Sequence, residues 1–270
     1  MFSSSYKAAV IQMNSQTDLD ANLEQAYDLV KEASKNGALV VGLPENFAFL
    51  GGLSMRMERA DEIAERLPQF LSEIAKEFEI YLMGGSYPVP AEGGKVFNHS
   101  TLYGPDGTEK ISYNKIHLFD VDLGDEESYR ESDYVEPGMA EPTFYEDETI
   151  GGWGLTVCYD LRFPELYRAL AGKSQVLSVP SAFTYTTGQD HWKVLLRARA
   201  IENTAYVFAP AQTGMHGPNR KTWGHAIIVD PWGEVIANAG TDIGVAYGQI
   251  DPDKLKHVRS NIPSLKHRRL

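Results

Sequence analysis

The sequence predicts a layered α/β fold, on three observations. Apolar runs of strand length alternate along the chain with stretches whose apolar residues recur at helical spacing. One run, residues 38–43, is apolar throughout, as expected of a central strand covered on both faces. Each half of the chain closes on a hairpin, turning at Gly104-Pro105-Asp106-Gly107 and at Asp230-Pro231-Trp232-Gly233. Mixed strands with helices on both faces belong to the layered α/β class. The paired hairpins suggest pseudo-symmetry, although no residue-level repeat is visible. No linker rich in Pro or Ser divides the chain. A single domain over residues 1–270 is expected, with 254–270 as a basic C-terminal tail.

The elements follow in order. Residues 7–13 read as a short buried strand. Residues 19–35 place Leu23, Ala26, Tyr27, Val30 and Ala33 on one helical face, and Asn36-Gly37 can end that helix. After the 38–43 strand, 58–78 reads as a helix that restarts at Pro68, because proline breaks the hydrogen-bond ladder. Strands are expected at 81–86, 96–103 and 108–113. The stretch 120–141 is acidic and poor in apolar residues, and reads as a loop. In the second half, strands are expected at 154–158, 176–180, 205–211, 226–229, 234–237 and 245–250. Helices are expected at 164–171 and 190–203. Gly151-Gly152-Trp153-Gly154 reads as a turn, since it does not open a helix as a phosphate-binding loop would.

Composition narrows the function. Of 270 residues, 43% are hydrophobic and 23% charged, the range of an ordinary globular chain. A net charge of −12 argues against nucleic acid or an anionic membrane as the main partner. No apolar run approaches the roughly 20 residues that span a bilayer. The N-terminal residues lack the pattern of a signal peptide. One cysteine excludes an internal disulfide and suits a reducing compartment, so a cytoplasmic location is expected. The seven histidines show no metal-ligand spacing, and no metal or cofactor is expected.

Chemistry centres on that one cysteine. Cys158 ends an apolar strand, a polar turn follows, and Pro164 opens a helix. A thiol aimed at a helix N-terminus is placed where the dipole favours thiolate, although a lone cysteine is also often simple core. A cysteine nucleophile needs a base for its proton and donors for the oxyanion. No histidine lies in a strand-end motif. Two other strand ends carry ionisable groups: Glu45 in Leu43-Pro44-Glu45-Asn46-Phe47, and Lys115 in Tyr113-Asn114-Lys115-Ile116-His117-Leu118. Sites of open α/β sheets form at the carboxyl ends of strands, which would bring Glu45, Lys115 and Cys158 together.

These two windows, with Val157-Cys158-Tyr159-Asp160-Leu161-Arg162-Phe163-Pro164-Glu165, resemble the nitrilase superfamily of carbon–nitrogen hydrolases over nearly the whole chain. The resemblance implies a Glu-Lys-Cys triad on a four-layer-forming αββα sandwich that assembles as an αββα–αββα dimer, or as a higher homo-oligomer. It also implies a second carboxylate, Glu131, in Tyr129-Arg130-Glu131-Ser132. Glu45 would be the base, Lys115 and the Tyr159 N–H the oxyanion donors, and a thioester the intermediate. His117 would support Lys115, and His191-Trp192 would serve packing. Tyr159-Asp160 after the cysteine matches amide-cleaving branches, where nitrile-cleaving members carry Trp-Glu.

Pro180-Ser181-Ala182-Phe183 and Gly224-His225-Ala226 are similar to the Nit branch. That similarity implies an amidase releasing ammonia from a small α-keto acid amide, or splitting deaminated glutathione into α-ketoglutarate and cysteinylglycine. An ω-amidase acting on α-ketoglutaramate, a nitrilase and an N-carbamoyl hydrolase are the alternatives. The ω-amidase branch has Gly at the place of Ser181 and Asn at that of Thr184. By family position Ser181, Phe183 and Thr184 would line the pocket. Arg162, nearest the nucleophile in sequence, would grip a substrate carboxylate or pair with Glu165.

Overall fold

The strand Tyr6–Met13 shows how the layers arise. Side chains alternate across a strand. In the computed structural model, which describes residues 2, 4–124 and 128–269, Ala8 and Val10 face a second sheet, packing with Trp153, Leu155, Val176 and Phe208. Ala9, Ile11 and Met13 face helices, packing with Leu23, Val30, Ile63 and Leu67. Val40 and Val41 divide between the two cores in the same way. A strand apolar on both faces is therefore an inner strand, as the 38–43 run predicted.

The first sheet holds nine strands among the described residues and the second six. Val40–Gly42 lies between Tyr6–Met13 and Tyr81–Met83, parallel to both. In the second sheet Gly151–Leu155, Val176–Ser178 and Tyr206–Ala209 run parallel. Helices Leu19–Lys35 and Ala60–Glu77 cover the outer face of the first sheet. Helices Pro164–Leu170 and Lys193–Asn203 pack with the second through Leu166, Leu170, Leu196 and Ala200. The layer order is thus helix, sheet, sheet, helix. No helix among the described residues is long and apolar enough to cross a membrane.

Several elements differ from expectation. The helix expected at 58–78 is two helices, Leu53–Glu58 and Ala60–Glu77, and Pro68 does not restart it. Pro68 is on the exposed face, where water can satisfy the carbonyl that its missing N–H leaves free. Gly151-Gly152-Trp153-Gly154 is strand and not turn. A Cβ on Gly152 would lie 2.3 Å from the Lys173 carbonyl oxygen, so glycine there reflects close approach of two backbones. The run 205–211 is two strands in different sheets, Tyr206–Ala209 and Ala211–His216. Pro210, which has no N–H to donate, stands at the switch. Arg220–Trp223 then pairs back on Ala211–His216 in a hairpin the sequence did not announce. The basic stretch from 254 begins inside a helix, Pro252–Asn261, that buries Leu255 and Val258. Its Lys254 pairs with Asp230 at 3.0 Å, and Arg259 donates to the Thr204 and Ser174 carbonyls, each at 2.9 Å.

Gly42 marks the closest contact between the sheets. A Cβ there would lie 2.2 Å from the Phe208 ring, which is fully buried edge-on to Trp153. The ring cannot yield without disturbing the second sheet. Gly42→Ala is expected to lower stability by about 1–3 kcal/mol, the usual cost of overpacking. Denaturant unfolding followed by tryptophan fluorescence checks this; an unchanged midpoint would show that the sheets separate freely here.

Candidate active site

Both sheets deliver side chains to one place. Glu45 follows Val40–Gly42 by three residues. The chain turns immediately after it, because Asn46 has φ 54 and its N–H donates to Ser86 Oγ at 3.2 Å. Asparagine tolerates this left-handed region better than most residues. Lys115 follows the strand Glu109–Asn114, its N–H bonded to the Asn98 carbonyl at 3.0 Å. Cys158 lies three residues past the end of its strand at Leu155, where the sequence had the strand end at the thiol itself. The Thr156 and Cys158 amides still bond to the Ser178 and Pro180 carbonyls, so the ladder persists while the backbone turns away. Cys158 opens the 3-10 turn Cys158–Arg162 with φ 46, a strained conformation for a side-chain-bearing residue. Such strain gathers at functional sites. The Tyr159 N–H falls in the first turn of that helix, among the amides with no partner inside it.

At the centre is the fully buried Lys115 ammonium. It lies 3.1 Å from Glu45 Oε1 and 2.9 Å from Glu131 Oε2. Asn98 Nδ2 donates to Glu45 Oε1 at 2.9 Å and to Glu131 Oε1 at 3.5 Å, bridging the carboxylates. The Ala182 N–H donates to Glu45 Oε2 at 2.8 Å, and the Phe119 N–H to Glu131 Oε2 at 2.7 Å. The Cys158 thiol lies in the same cleft as Glu45 and interacts with it. Burial alone would raise the Glu45 pKa, but the Lys115 charge and these hydrogen bonds outweigh it and hold the carboxyl down to about 2. Burial would likewise lower Lys115; the charges of Glu131 and Glu45 more than offset it and keep the ammonium protonated. Burial, and then the Glu45 charge, push the Cys158 thiol well above the usual range against the pull of Lys115. The thiol is thus raised where a helix-end position alone would lower it, and it sits beside the Glu45 carboxylate.

Glu131 is 5% exposed, although it lies in the stretch read as an acidic loop. That stretch contains a two-stranded ribbon, Asp120–Asp122 with Ser128–Arg130, leading into the 3-10 turn Glu131–Asp133. Asp160 ties the other segments together. Its Oδ1 accepts from the His117 N–H at 3.0 Å and contacts His117 Nδ1 at 2.7 Å. Its Oδ2 accepts from Tyr113 OH at 2.7 Å and from the Val157 N–H at 2.8 Å. Tyr113 and His117 flank Lys115, and Asp160 follows Cys158 by two residues, so one buried carboxylate sets lysine against cysteine.

A cleft of about 510 Å³ opens onto this cluster. Glu45, Lys115, Glu131, Cys158, Tyr159, Phe183 and Thr184 line it. Ser181 and Arg162 do not. Ser181 is fully buried, its hydroxyl donating to the Val179 carbonyl at 3.0 Å. The Arg162 guanidinium is stacked against the rings of Phe183 and Tyr159, at 5.4 and 5.9 Å, and is 3.3 Å from His191 Nδ1. Among the described residues it has no ion pair, with Glu165 or any other carboxylate. Sequence reasoning missed Asn98, Arg56 and Arg220. Asn98 was findable: Val96, Asn98 and Ser100 alternate on the buried face of Val96–Tyr103, where a polar residue needs a purpose.

The cluster makes acid sensitivity calculable. Glu45 titrates near 2 folded against an ordinary 4.5, so it binds a proton less readily folded than unfolded. Its contribution is complete above about pH 4.5 and is lost as pH falls toward 2. A shift of this size corresponds to about 3 kcal/mol. Denaturant melts across that window should show wild type losing roughly this much more than Glu45→Gln. Parallel curves would mean the carboxylate is not held by Lys115.

Comparison with known proteins places the chain. Deaminated glutathione amidase of Synechocystis sp. (strain PCC 6803) is 50% identical over 266 residues, 97% of this chain and 98% of that one. Omega-amidase NIT2 of Mus musculus is 40% identical over 98% of this chain and 96% of its own. The crystal structure of the C. elegans NitFhit protein superposes with a TM-score of 0.93 at 36% identity. It covers 100% of this chain, which spans 66% of that longer one. Residues 7–260 match the carbon–nitrogen hydrolase family. With that match over nearly its whole length, the chain belongs to the carbon–nitrogen hydrolases, on a fold shared with structures of the Nit branch of the nitrilase superfamily.

Proposed function

We propose that this chain is an amidase of the deaminated glutathione type, working through a thioester on Cys158. One observation carries the reading: a neutral thiol, a carboxylate base and a buried ammonium meet in a single cleft. Glu45 takes the thiol proton as sulfur attacks the amide carbonyl. In the free enzyme this transfer is uphill, since the carboxylate is weakly basic and the thiol is raised. It becomes favourable as the C–S bond forms and the negative charge moves onto the carbonyl oxygen. Lys115 and the Tyr159 N–H hold that oxyanion. Protonated Glu45 then delivers its proton to the departing nitrogen as the C–N bond breaks. A water deprotonated by Glu45 attacks the thioester through a second oxyanion, and the sulfur leaves as thiolate and recovers the proton. Glu131 keeps Lys115 in place throughout.

The 50% identity to a deaminated glutathione amidase favours that substrate. Its acyl part carries an α-keto acid carboxylate; Arg162, the cation expected to grip it, is held against the cleft-lining rings of Tyr159 and Phe183 and does not itself line the cleft. The 40% identity to ω-amidases supports α-ketoglutaramate as the second reading. The unpaired Cys158 suits the reducing cytoplasm expected from sequence. Val194, Ile201 and Trp232 are exposed by 65%, 49% and 57% and offer apolar surface for the expected dimer.

Incubation with deaminated glutathione and with α-ketoglutaramate, scoring α-ketoglutarate, cysteinylglycine and ammonia, tests the assignment. Deaminated glutathione should be preferred; turnover of α-ketoglutaramate alone would make the chain an ω-amidase. Carbon dioxide from a carbamoyl amino acid would reject both. Cys158→Ala and Glu45→Gln should abolish turnover, and Lys115→Ala should lower kcat by about 10²–10³, the usual cost of an oxyanion donor. Full activity of Cys158→Ala would remove the thioester.

A further inference from the structure

Two arginines that line the catalytic cleft have no assigned task. Arg56, on the helix Leu53–Glu58, is 6% exposed. Arg220 begins the strand Arg220–Trp223. Among the described residues neither is ion-paired, and the Nε of each is buried without a hydrogen-bond partner. Arg56 is buried and Arg220 half-buried; a buried cation without an ion pair is expensive, and a second of the same sign in one cleft adds to the cost. Burial, and then the Arg220 charge, pull Arg56 down to about 10, and the charges of Glu131 and Glu45 only partly offset them. An anion between them would relieve both.

Their anchors show which part of the substrate they meet. Arg56 Nη1 donates to Asn46 Oδ1 at 3.1 Å, and Asn46 adjoins Glu45. Arg220 Nη2 donates to the Ala182 carbonyl at 3.4 Å, and the Ala182 N–H holds Glu45. Both guanidiniums therefore stand on the Glu45 side of the cleft. Glu45 is the group that protonates the departing nitrogen, so whatever that nitrogen carries extends from this side.

We infer that Arg56 and Arg220 form a subsite for a carboxylate on the leaving amine. This makes the cleft selective for amides that release a carboxylate-bearing amine over primary amides that release ammonia. The inference rests on the amidase reading above. Deaminated glutathione, whose cysteinylglycine portion ends in a carboxylate, satisfies the subsite; α-ketoglutaramate leaves it empty.

The test compares kcat/KM for three amides: deaminated glutathione, its analogue with the glycine carboxylate capped as a neutral amide, and α-ketoglutaramate. Wild type should lose about 10- to 100-fold on capping, mostly in KM, the cost of a charge-assisted hydrogen bond. Arg220→Gln should lose about that much more on deaminated glutathione than on α-ketoglutaramate, and should no longer distinguish the capped analogue. Arg220→Lys should recover part of the preference. Equal losses on all three amides by a folded variant, or indifference of wild type to capping, would overturn the subsite, and the wild-type comparison decides even where a variant fails to fold. If wild type cleaves none of them, the amidase reading falls. Calorimetric binding of the free and capped compounds to Cys158→Ala then decides the subsite alone, with tighter binding of the free compound supporting it and equal binding rejecting it.

Discussion

The site depends on one buried ammonium. Lys115 is removed from water, and a desolvated cation persists only with counter-charges at hydrogen-bond distance. Glu45 and Glu131 supply them, and each is fixed by a backbone amide and by the shared Asn98. These bonds tie together the end of an inner strand, the segment after a hairpin, and a turn deep in an acidic stretch. The Ala182 N–H adds the second sheet. The lysine is thus the charge around which the two sheets are held in register at their active ends.

That arrangement conserves charge through the reaction. At rest the cluster carries two carboxylates, one ammonium and a neutral thiol. In the proposed reaction, once sulfur has attacked, Glu45 holds the proton and the negative charge is on the substrate oxygen beside Lys115. The buried net charge is the same in both states. The enzyme moves a charge from one side of the lysine to the other and creates none, which is what a water-poor pocket requires. A resting thiolate would instead put a third negative group beside Lys115; burial first, and then the Glu45 charge, raise the thiol against it.

Legibility in the sequence followed the range of the interactions. The helix Leu19–Lys35 was readable to the residue, because its apolar spacing and its Asn36-Gly37 stop are local. Glu45, Lys115 and Cys158 stood out because each is ionisable at the end of an apolar run. Pro68 and Gly152 misled because their meaning depends on surroundings: an exposed helix face tolerates the proline, and the Lys173 backbone requires the glycine. Glu131 was visible only through the family resemblance, since nothing in its acidic neighbourhood marks one carboxylate as buried. Arg56 and Arg220 were not legible at all. Their positions come from a short helix and an unannounced hairpin brought together by tertiary packing.

Those two arginines change how the chain's net charge bears on function. A protein of charge −12 repels a dianionic substrate at long range, which argues against a doubly carboxylated amide on composition alone. That repulsion acts between solvent-exposed charges and is largely screened beyond about 8 Å at physiological ionic strength. Inside the cleft the balance reverses. Arg56 and Arg220 have no ion-pair partner among the described residues, while both lining carboxylates of the catalytic cluster are already committed to Lys115. The lining on the Glu45 side of the cleft therefore carries two cations without an ion pair. Low dielectric there makes each of these charges count for more than those on the surface. The proposed selection of an amide with an anionic leaving group thus rests on which charges inside the cleft are left without an ion pair.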